Sequence, residues 1–242
     1  MKPAARPAPA WFAIAGLLAL LGQMPARPVA ALLEESCAGQ CRIAGAEGRW
    51  WAGDARLLWR DGDAWLDLGT LGWRLLPADG GYARVTLGAG RIVWRELRRL
   101  DIDSIALPAR VVLGDPRLGL PGGRWQGELA IATGELQLGP DGIAGGRGEV
   151  RWRQAASSLL ADRPLGDYRA AWRWDGRGAP EAEASGGRPG EIDVDGRLAD
   201  GRFSGRVRLS GAARPALERY LSVAAAPDSA VDGGYRFDFP IR

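Results

Sequence analysis

Residues 201–211 read GRFSGRVRLSG, and the alternation within this stretch decides the fold class. Phe203, Gly205, Val207 and Leu209 fall on one side of an extended chain, whereas arginine and serine residues fall on the other. Successive side chains of a β-strand point to opposite faces, so a period of two predicts a strand with one apolar and one polar face. Antiparallel sheets accept such strands because one face can stay in water.

The same alternation recurs through the body of the chain after residue 45. It is clear in YRAAWRWDG (168–176) and in YRFDFPIR (235–242), and turn dipeptides such as Asp61-Gly62 and Asp200-Gly201 separate the runs. Such dipeptides favour the backbone angles of hairpin loops. The sequence therefore predicts a mainly β fold of one or more curved antiparallel sheets, sandwich-like or groove-like, and periodicity does not choose between these arrangements.

Two segments depart from this pattern. Residues 214–227 place Leu217, Tyr220 and Leu221 on one helical stripe between two prolines, which predicts a short C-terminal capping helix. Residues 175–190 contain no apolar run and predict a flexible loop or a long hairpin connection.

Residues 1–33 are predicted to form a cytoplasmic stub and a membrane anchor. Lys2 and Arg6 precede an apolar run, and basic residues favour the cytoplasmic side of the membrane, so the remainder is expected to be exported. A cleaved signal peptide is the alternative. Residues 34–242 would then form a periplasmic β-domain, with two sub-sheets meeting near 155–166 as one option. The anchor would include Trp11, Phe12, Leu17, Leu18, Leu20 and Leu21.

The only two cysteines of the chain, Cys37 and Cys41, follow this N-terminal segment. Two thiols in a chain without histidine are too few for a structural zinc site. In an oxidising periplasm the simplest interpretation is a local disulfide, with two free thiols as the alternative.

Composition argues against catalysis and against nucleic-acid binding. The 242 residues include no histidine, the commonest general base and metal ligand. Ser157 and Ser158 have no glycine elbow and no base partner. Net charge is only +3 and the two signs are interspersed, so no basic block stands out. We predict no enzyme activity, no cofactor, no metal and no nucleic-acid partner.

Three short stretches, taken in order, resemble protein N of the type II (general) secretion system. The first has the spacing G-x-x-W-x-G, the second is an LG-x-L-x-W strand, and the third is RPLGDYRAAW, followed later by a helix of the ALERYL type. The residues that carry the likeness are Gly48, Trp51 and Gly53; Leu68, Gly69 and Trp73; and Gly166, Asp167 and Tyr168.

This resemblance implies a non-catalytic subunit of the Gram-negative machinery that exports folded proteins across the outer membrane. One helix would hold it in the inner membrane, and its β-domain would meet other secretion subunits in the periplasm. Within the first stretch we interpret Trp51 as a core anchor, with glycines that allow close backbone approach, and Trp50 as an outward contact residue.

A second function stays open at this stage. Strands with one apolar face can form a groove that carries acyl chains, so a periplasmic lipid-binding or lipid-transfer protein is the alternative. The length of the chain favours the scaffold role.

Overall fold

A computed structural model describes residues 22–76, 80–113, 125–140, 142–158, 163–211 and 213–240. The chain divides into two compact units, Met1–Gly88 and Ala89–Arg242. The described strands of each unit form one open antiparallel sheet. The mainly β, antiparallel prediction is therefore confirmed, whereas a sandwich of stacked sheets is not what the described residues of either unit form.

The described part of the first unit contains a helix and a four-stranded sheet in which each strand pairs with the next along the chain. Short turns connect the first three strands, as hairpin-forming sequences allow. The elements are α1 (Arg27–Ser36), β1 (Cys41–Arg49), β2 (Ala52–Asp61), β3 (Ala64–Leu75) and β4 (Ala83–Leu87).

The second unit is a longer meander whose strands follow chain order up to β12; β14 pairs next to β12, with the two-residue strand β13 outside it. Its elements are β5 (Gly90–Glu96), β6 (Arg99–Pro108), α2 (Ala109–Leu113), β7 (Trp125–Gly139), β8 (Gly142–Ser157), β9 (Arg163–Trp174), β10 (Glu181–Gly187), β11 (Ile192–Ala199), β12 (Arg202–Leu209), α3 (Ala213–Ala224), β13 (Ala226–Pro227) and β14 (Gly234–Pro240).

The predicted C-terminal helix is present as α3 and packs on the apolar face of the sheet. Leu217 is buried and joins a core cluster with residues of β11, β12 and β14, and Leu221 packs against that cluster. The side chain of Tyr220 lies outside the described part of the chain. The rest of the cluster consists of Ile192, Leu209, Ala213 and Tyr235.

The prediction of a loop over 175–190 is wrong for its second half. β10 (Glu181–Gly187) lies there and pairs on both sides, with β9 and with β11. Its apolar-face residues are Ala182, Ala184 and Gly186, which are too small to give an alternating hydrophobic signal. The strand forms because β9 and β11 provide its hydrogen-bond partners, although its own sequence does not predict a strand.

The predicted anchor residues Trp11, Phe12, Leu17, Leu18, Leu20 and Leu21 lie outside the described residues. Within the described part of the chain, no helix has the length and apolar character needed to cross a membrane. α1 extends across the predicted boundary after residue 33. That boundary and the sub-sheet junction near 155–166 stay predictions.

The N-terminal segment, residues 22–36, covers the outer edge of β1. The backbone N–H of Ala26 donates to the carbonyl oxygen of Gly48 at 3.2 Å, and Pro25 forms a bridge with Arg49. Further along, the backbone N–H of Ile43 donates to the Glu34 carboxylate at 3.3 Å. An open strand edge invites pairing with other chains, and these contacts close it.

Cys37 and Cys41 are joined by a disulfide, with their Cα atoms 5.5 Å apart. The bond links the residue after α1 to the first residue of β1. It closes only a small loop, so we expect a modest contribution to stability.

Candidate functional site

The first corner, as we name Gly48, Gly53 and Trp73, is the part of the first family-like stretch that the structure brings together. Gly48 pairs with Gly53, and Gly53 pairs with Trp73 on the next strand. A Cβ atom at Gly53 would lie 2.6 Å from the Glu47 carbonyl oxygen and 2.6 Å from Cζ2 of Trp73. Glycine is therefore required because a backbone and an indole ring both lie against this position, which confirms the predicted close approach.

The predicted orientation of the two adjacent tryptophans is wrong. Trp50 and Trp51 occupy the turn between β1 and β2, where the alternation of strand faces does not apply. Trp51 is 37% exposed and is no core anchor, whereas Trp50 is half-buried. The ring that fills the corner is Trp73, whose Nε1–H donates to the Trp50 carbonyl oxygen at 3.0 Å.

Leu68 and Gly69, from the second stretch, form a bulge in β3 and do not join the first corner. Leu57 pairs with Gly69 and Leu58 pairs with Asp67, which leaves Leu68 as the extra residue. Gly69 has φ +96° and its N–H is bound by the Asp67 carboxylate at 2.8 Å. This geometry suits glycine and re-aims the strand.

The second corner, as we name Gly166, Asp167 and Tyr168, lies where β8, β9 and β10 meet. Gly166 has φ +104°, and a Cβ atom there would collide with the backbone of Gly187. The Asp167 carboxylate accepts a 2.7 Å hydrogen bond from the N–H of Gln154, which has a positive φ of 50°. The third stretch therefore stabilises an irregular crossing of strands.

Tyr168 completes the second corner from the apolar side of the sheet. Its hydroxyl donates to the Leu165 carbonyl oxygen at 3.0 Å, and burial raises the pKa of Tyr168 to about 12. Its ring lies 5.9 Å from Trp152, and Trp152 lies 5.8 Å from Trp125. Aromatic pairs at such distances add to sheet stability.

An aromatic ring placed over a glycine of the neighbouring strand recurs, and sequence reasoning missed it. Trp172 pairs with Gly148, and a Cβ atom at Gly148 would lie 2.8 Å from its Nε1. Phe237 pairs with Gly205 and stacks on Phe203 with ring centroids 5.2 Å apart. The signal is visible in the sequence only once the strand register is known, because the two members lie far apart in the chain.

In the second unit, these rings belong to an apolar face that runs across the strands. One row crosses seven strands, and each of its larger side chains is half-buried rather than buried. Four large apolar side chains in one row that each keep part of their surface exposed form a surface suited to a partner. The row consists of Ile102, Gly134, Gly148, Trp172, Ala182, Leu198 and Phe203.

The opposite face is polar and carries ion pairs within and between strands. Arg99 contacts Asp101 at 2.8 Å and Glu135 at 3.6 Å, and Arg147 contacts Glu135 at 2.9 Å. Burial disfavours ionisation of Asp101, but hydrogen bonds from Arg99 and Arg95 outweigh it and hold the pKa of Asp101 below its usual value. Exposed pairs of this kind contribute little stability individually.

A depression of about 930 Å³ lies on this polar face over β9 to β12 and β14. Small residues such as Ser185 and Ser204 form its floor, and arginines alternate with carboxylates around it. The described residues contain no group of three or more His, Cys, Asp or Glu side chains placed to hold a metal. The depression therefore has the character of a solvated sheet face.

Comparison with known proteins decides the family. A family model described as type II secretion system (T2SS), protein N, matches residues 40–237, which is most of the chain and includes both corners. The chain belongs to the type II secretion system protein N family. No curated protein and no solved structure matches it.

Membership of the protein N family makes this chain a component of the type II secretion machinery that works with the other components of that system. The resemblance inferred from the three stretches is thereby confirmed. The matched region begins after Cys37 and after the N-terminal segment. The disulfide thus links this protein N domain to the segment that precedes it.

Proposed function

We propose that the protein is a non-catalytic, inner-membrane-anchored subunit that scaffolds the type II secretion machinery from the periplasm. The observation that carries the proposal is the half-buried apolar face of the second unit, in a chain of the protein N family. A scaffold needs a large contact surface rather than a shaped cleft.

Strand edges are less suitable contact surfaces than this face. The N-terminal segment covers β1, and β13 pairs with β14 through Arg236 and Tyr235. The Arg236 guanidinium binds Asp228 at 2.8 Å and so fastens the residues after β13 to β14. We therefore assign partner contacts to the apolar face rather than to strand addition at these edges.

Two adjacent residues of β11 give a matched test of the face. Leu198 lies on the apolar row and Arg197 on the polar face. Leu198→Asp should abolish secretion of a type II-dependent enzyme and the co-purification of other secretion subunits. Arg197→Asp should preserve both. Thermal unfolding of each variant checks that the fold is retained.

The proposal fails if Leu198→Asp, folded and present at normal abundance, supports full secretion. The role in secretion itself is refuted if deletion of the gene leaves secretion unchanged. The anchor is tested separately by membrane fractionation of the full chain, with a reporter that is active only in the periplasm fused after Pro240.

The same apolar face supports a second candidate, a periplasmic lipid-binding protein. Trp172, Leu198 and Phe203 could cover an acyl chain as well as they could cover a protein helix. A fragment that begins at Gly22 keeps α1 on β1 and is suited to lipid extraction and mass spectrometry. Stoichiometric phospholipid would favour this candidate, and an empty domain favours the scaffold.

A further inference from the structure

Five exposed hydrophobic side chains of the first unit gather at one end of its sheet, which we name the entry end. They come from the segment before α1, the β1–β2 turn, the end of β3 and the residue before β4. Their exposed fractions are 42% for Met24, 37% for Trp51, 37% for Leu75, 79% for Leu76 and 51% for Tyr82.

Backbone hydrogen bonds hold these residues side by side. The N–H of Leu75 donates to the Trp51 carbonyl oxygen at 2.7 Å, and the N–H of Leu76 donates to the Tyr82 carbonyl oxygen at 2.7 Å. The N–H of Trp50 donates to the Met24 carbonyl oxygen at 3.0 Å. The fold therefore fixes the positions of these apolar residues relative to one another at the entry end.

The backbone conformation of Leu76 is unusual for a leucine. Its φ is +52°, a left-handed conformation that non-glycine residues seldom adopt. Strain of this kind persists where the surrounding structure fixes it, and it concentrates at functional positions. Here the strained residue is Leu76, the most exposed of the five residues at the entry end.

The chain enters the first unit at this same end. The Nε1–H of Trp51 donates to the carbonyl oxygen of Gly22 at 3.1 Å. Gly22 directly follows Leu21, the last of the predicted anchor residues in the N-terminal segment 1–33. A segment leaving a bilayer at Gly22 would hold the entry end at the lipid surface.

The chemistry of the entry end matches that surface. Tryptophan and tyrosine are enriched at membrane interfaces, where the ring contacts acyl chains and the polar edge contacts water. The guanidinium of Arg49 lies 5.9 Å from the Trp51 ring centroid, and an arginine can extend its charge toward lipid headgroups. We propose that the entry end rests on the phospholipid surface from which the chain emerges.

Trp65 is a matched control in the same unit. It is 44% exposed, similar to Trp51, but it pairs with Arg60 at the opposite end of β2. β2 has 10 residues, so the two tryptophans are separated by about 30 Å of strand at roughly 3.3 Å per residue. A surface that touches lipid at Trp51 should therefore leave Trp65 in water.

The test uses the full chain in vesicles of phosphatidylethanolamine and phosphatidylglycerol. A photoreactive benzophenone amino acid replaces Trp51, Leu76 or Trp65 in three separate proteins, and lipid adducts are counted by mass spectrometry after illumination. We expect severalfold more adduct at positions 51 and 76 than at position 65. Protease resistance of each protein confirms folding, and position 76, which is 79% exposed, tolerates the probe most readily.

This inference depends on the anchor of the proposed function, and the experiment separates the two. If the full chain does not float with the vesicles, the anchor itself is wrong, and the inference falls with it. If the chain floats and positions 51 and 76 yield no more adduct than position 65, only the membrane-facing entry end is refuted.

Discussion

The first and second corners both place an aromatic side chain beside glycine, but they need glycine for different reasons. In the first corner, Gly53 clears space for the Trp73 ring. In the second corner, Gly166 has φ +104° and faces the backbone of Gly187. An added Cβ atom at Gly53 thus meets a ring that can shift as well as the Glu47 carbonyl oxygen, whereas at Gly166 it meets backbone alone in a left-handed conformation, which predicts different sensitivities to mutation at these two positions.

The largest effect is expected at the second corner. Gly166→Ala adds a Cβ atom that collides with a backbone that cannot rotate away, and it also strains φ. We expect a loss of about 3 to 5 kcal/mol in the free energy of unfolding. Gly190→Ala is the control, since Gly190 has φ +77° but open space around it. Urea unfolding measures both variants. Equal losses of unfolding free energy would show that the backbone collision is not what destabilises Gly166→Ala.

A smaller effect is expected at the first corner. Gly53→Ala forces Trp73 and the Glu47 carbonyl oxygen to shift, which should cost about 2 kcal/mol, as overpacking does elsewhere. Gly22→Ala, with no atom near its Cβ position, should be neutral. Trp73 fluorescence is obscured by the other tryptophans, so urea unfolding is the measurement. A neutral Gly53→Ala would show that the ring is not held against this glycine.

Tyr168→Phe should cost about 1 kcal/mol, because it removes one hydrogen bond to the Leu165 carbonyl oxygen. Burial raises the pKa of Tyr168 to about 12 from 10.0. The folded state thus favours the protonated phenol, and this contribution is complete below pH 10 and is lost as the pH rises through 12. The tyrosinate absorbance of the variant should lack a step near pH 12. A step near pH 12 that persists in the variant would assign that titration to another tyrosine and contradict the burial of the Tyr168 hydroxyl.

Alternation predicted much of this fold, because it is a local signal wherever side chains are large. β12 is predicted from its own sequence, because Phe203, Val207 and Leu209 alternate with polar residues. β10 was missed because Ala182, Ala184 and Gly186 carry no hydrophobic contrast, and the strand exists through its neighbours. Hydrophobic periodicity thus predicts strands that carry bulky side chains. It does not predict strands that form because neighbouring strands offer them hydrogen-bond partners.

The candidate site was only partly predictable for a related reason. Glycine spacing correctly indicated close approach at Gly48 and Gly53. It could not show that the ring seated there comes from Trp73 on another strand, since that depends on register. The interpretation of Trp51 as a core anchor rests on its place between Gly48 and Gly53, but Trp51 lies in the β1–β2 turn and is exposed there.

The most direct test of the account compares the unfolding free energies of Trp51→Ala and Trp73→Ala in the fragment that begins at Gly22. Trp73 fills the first corner and Trp51 is displayed at the entry end. We predict a loss of about 2 to 3 kcal/mol for Trp73→Ala, less than for a fully buried tryptophan, and under about 1 kcal/mol for Trp51→Ala. An equal or greater loss for Trp51→Ala would contradict the account, because Trp51 would then belong to the core.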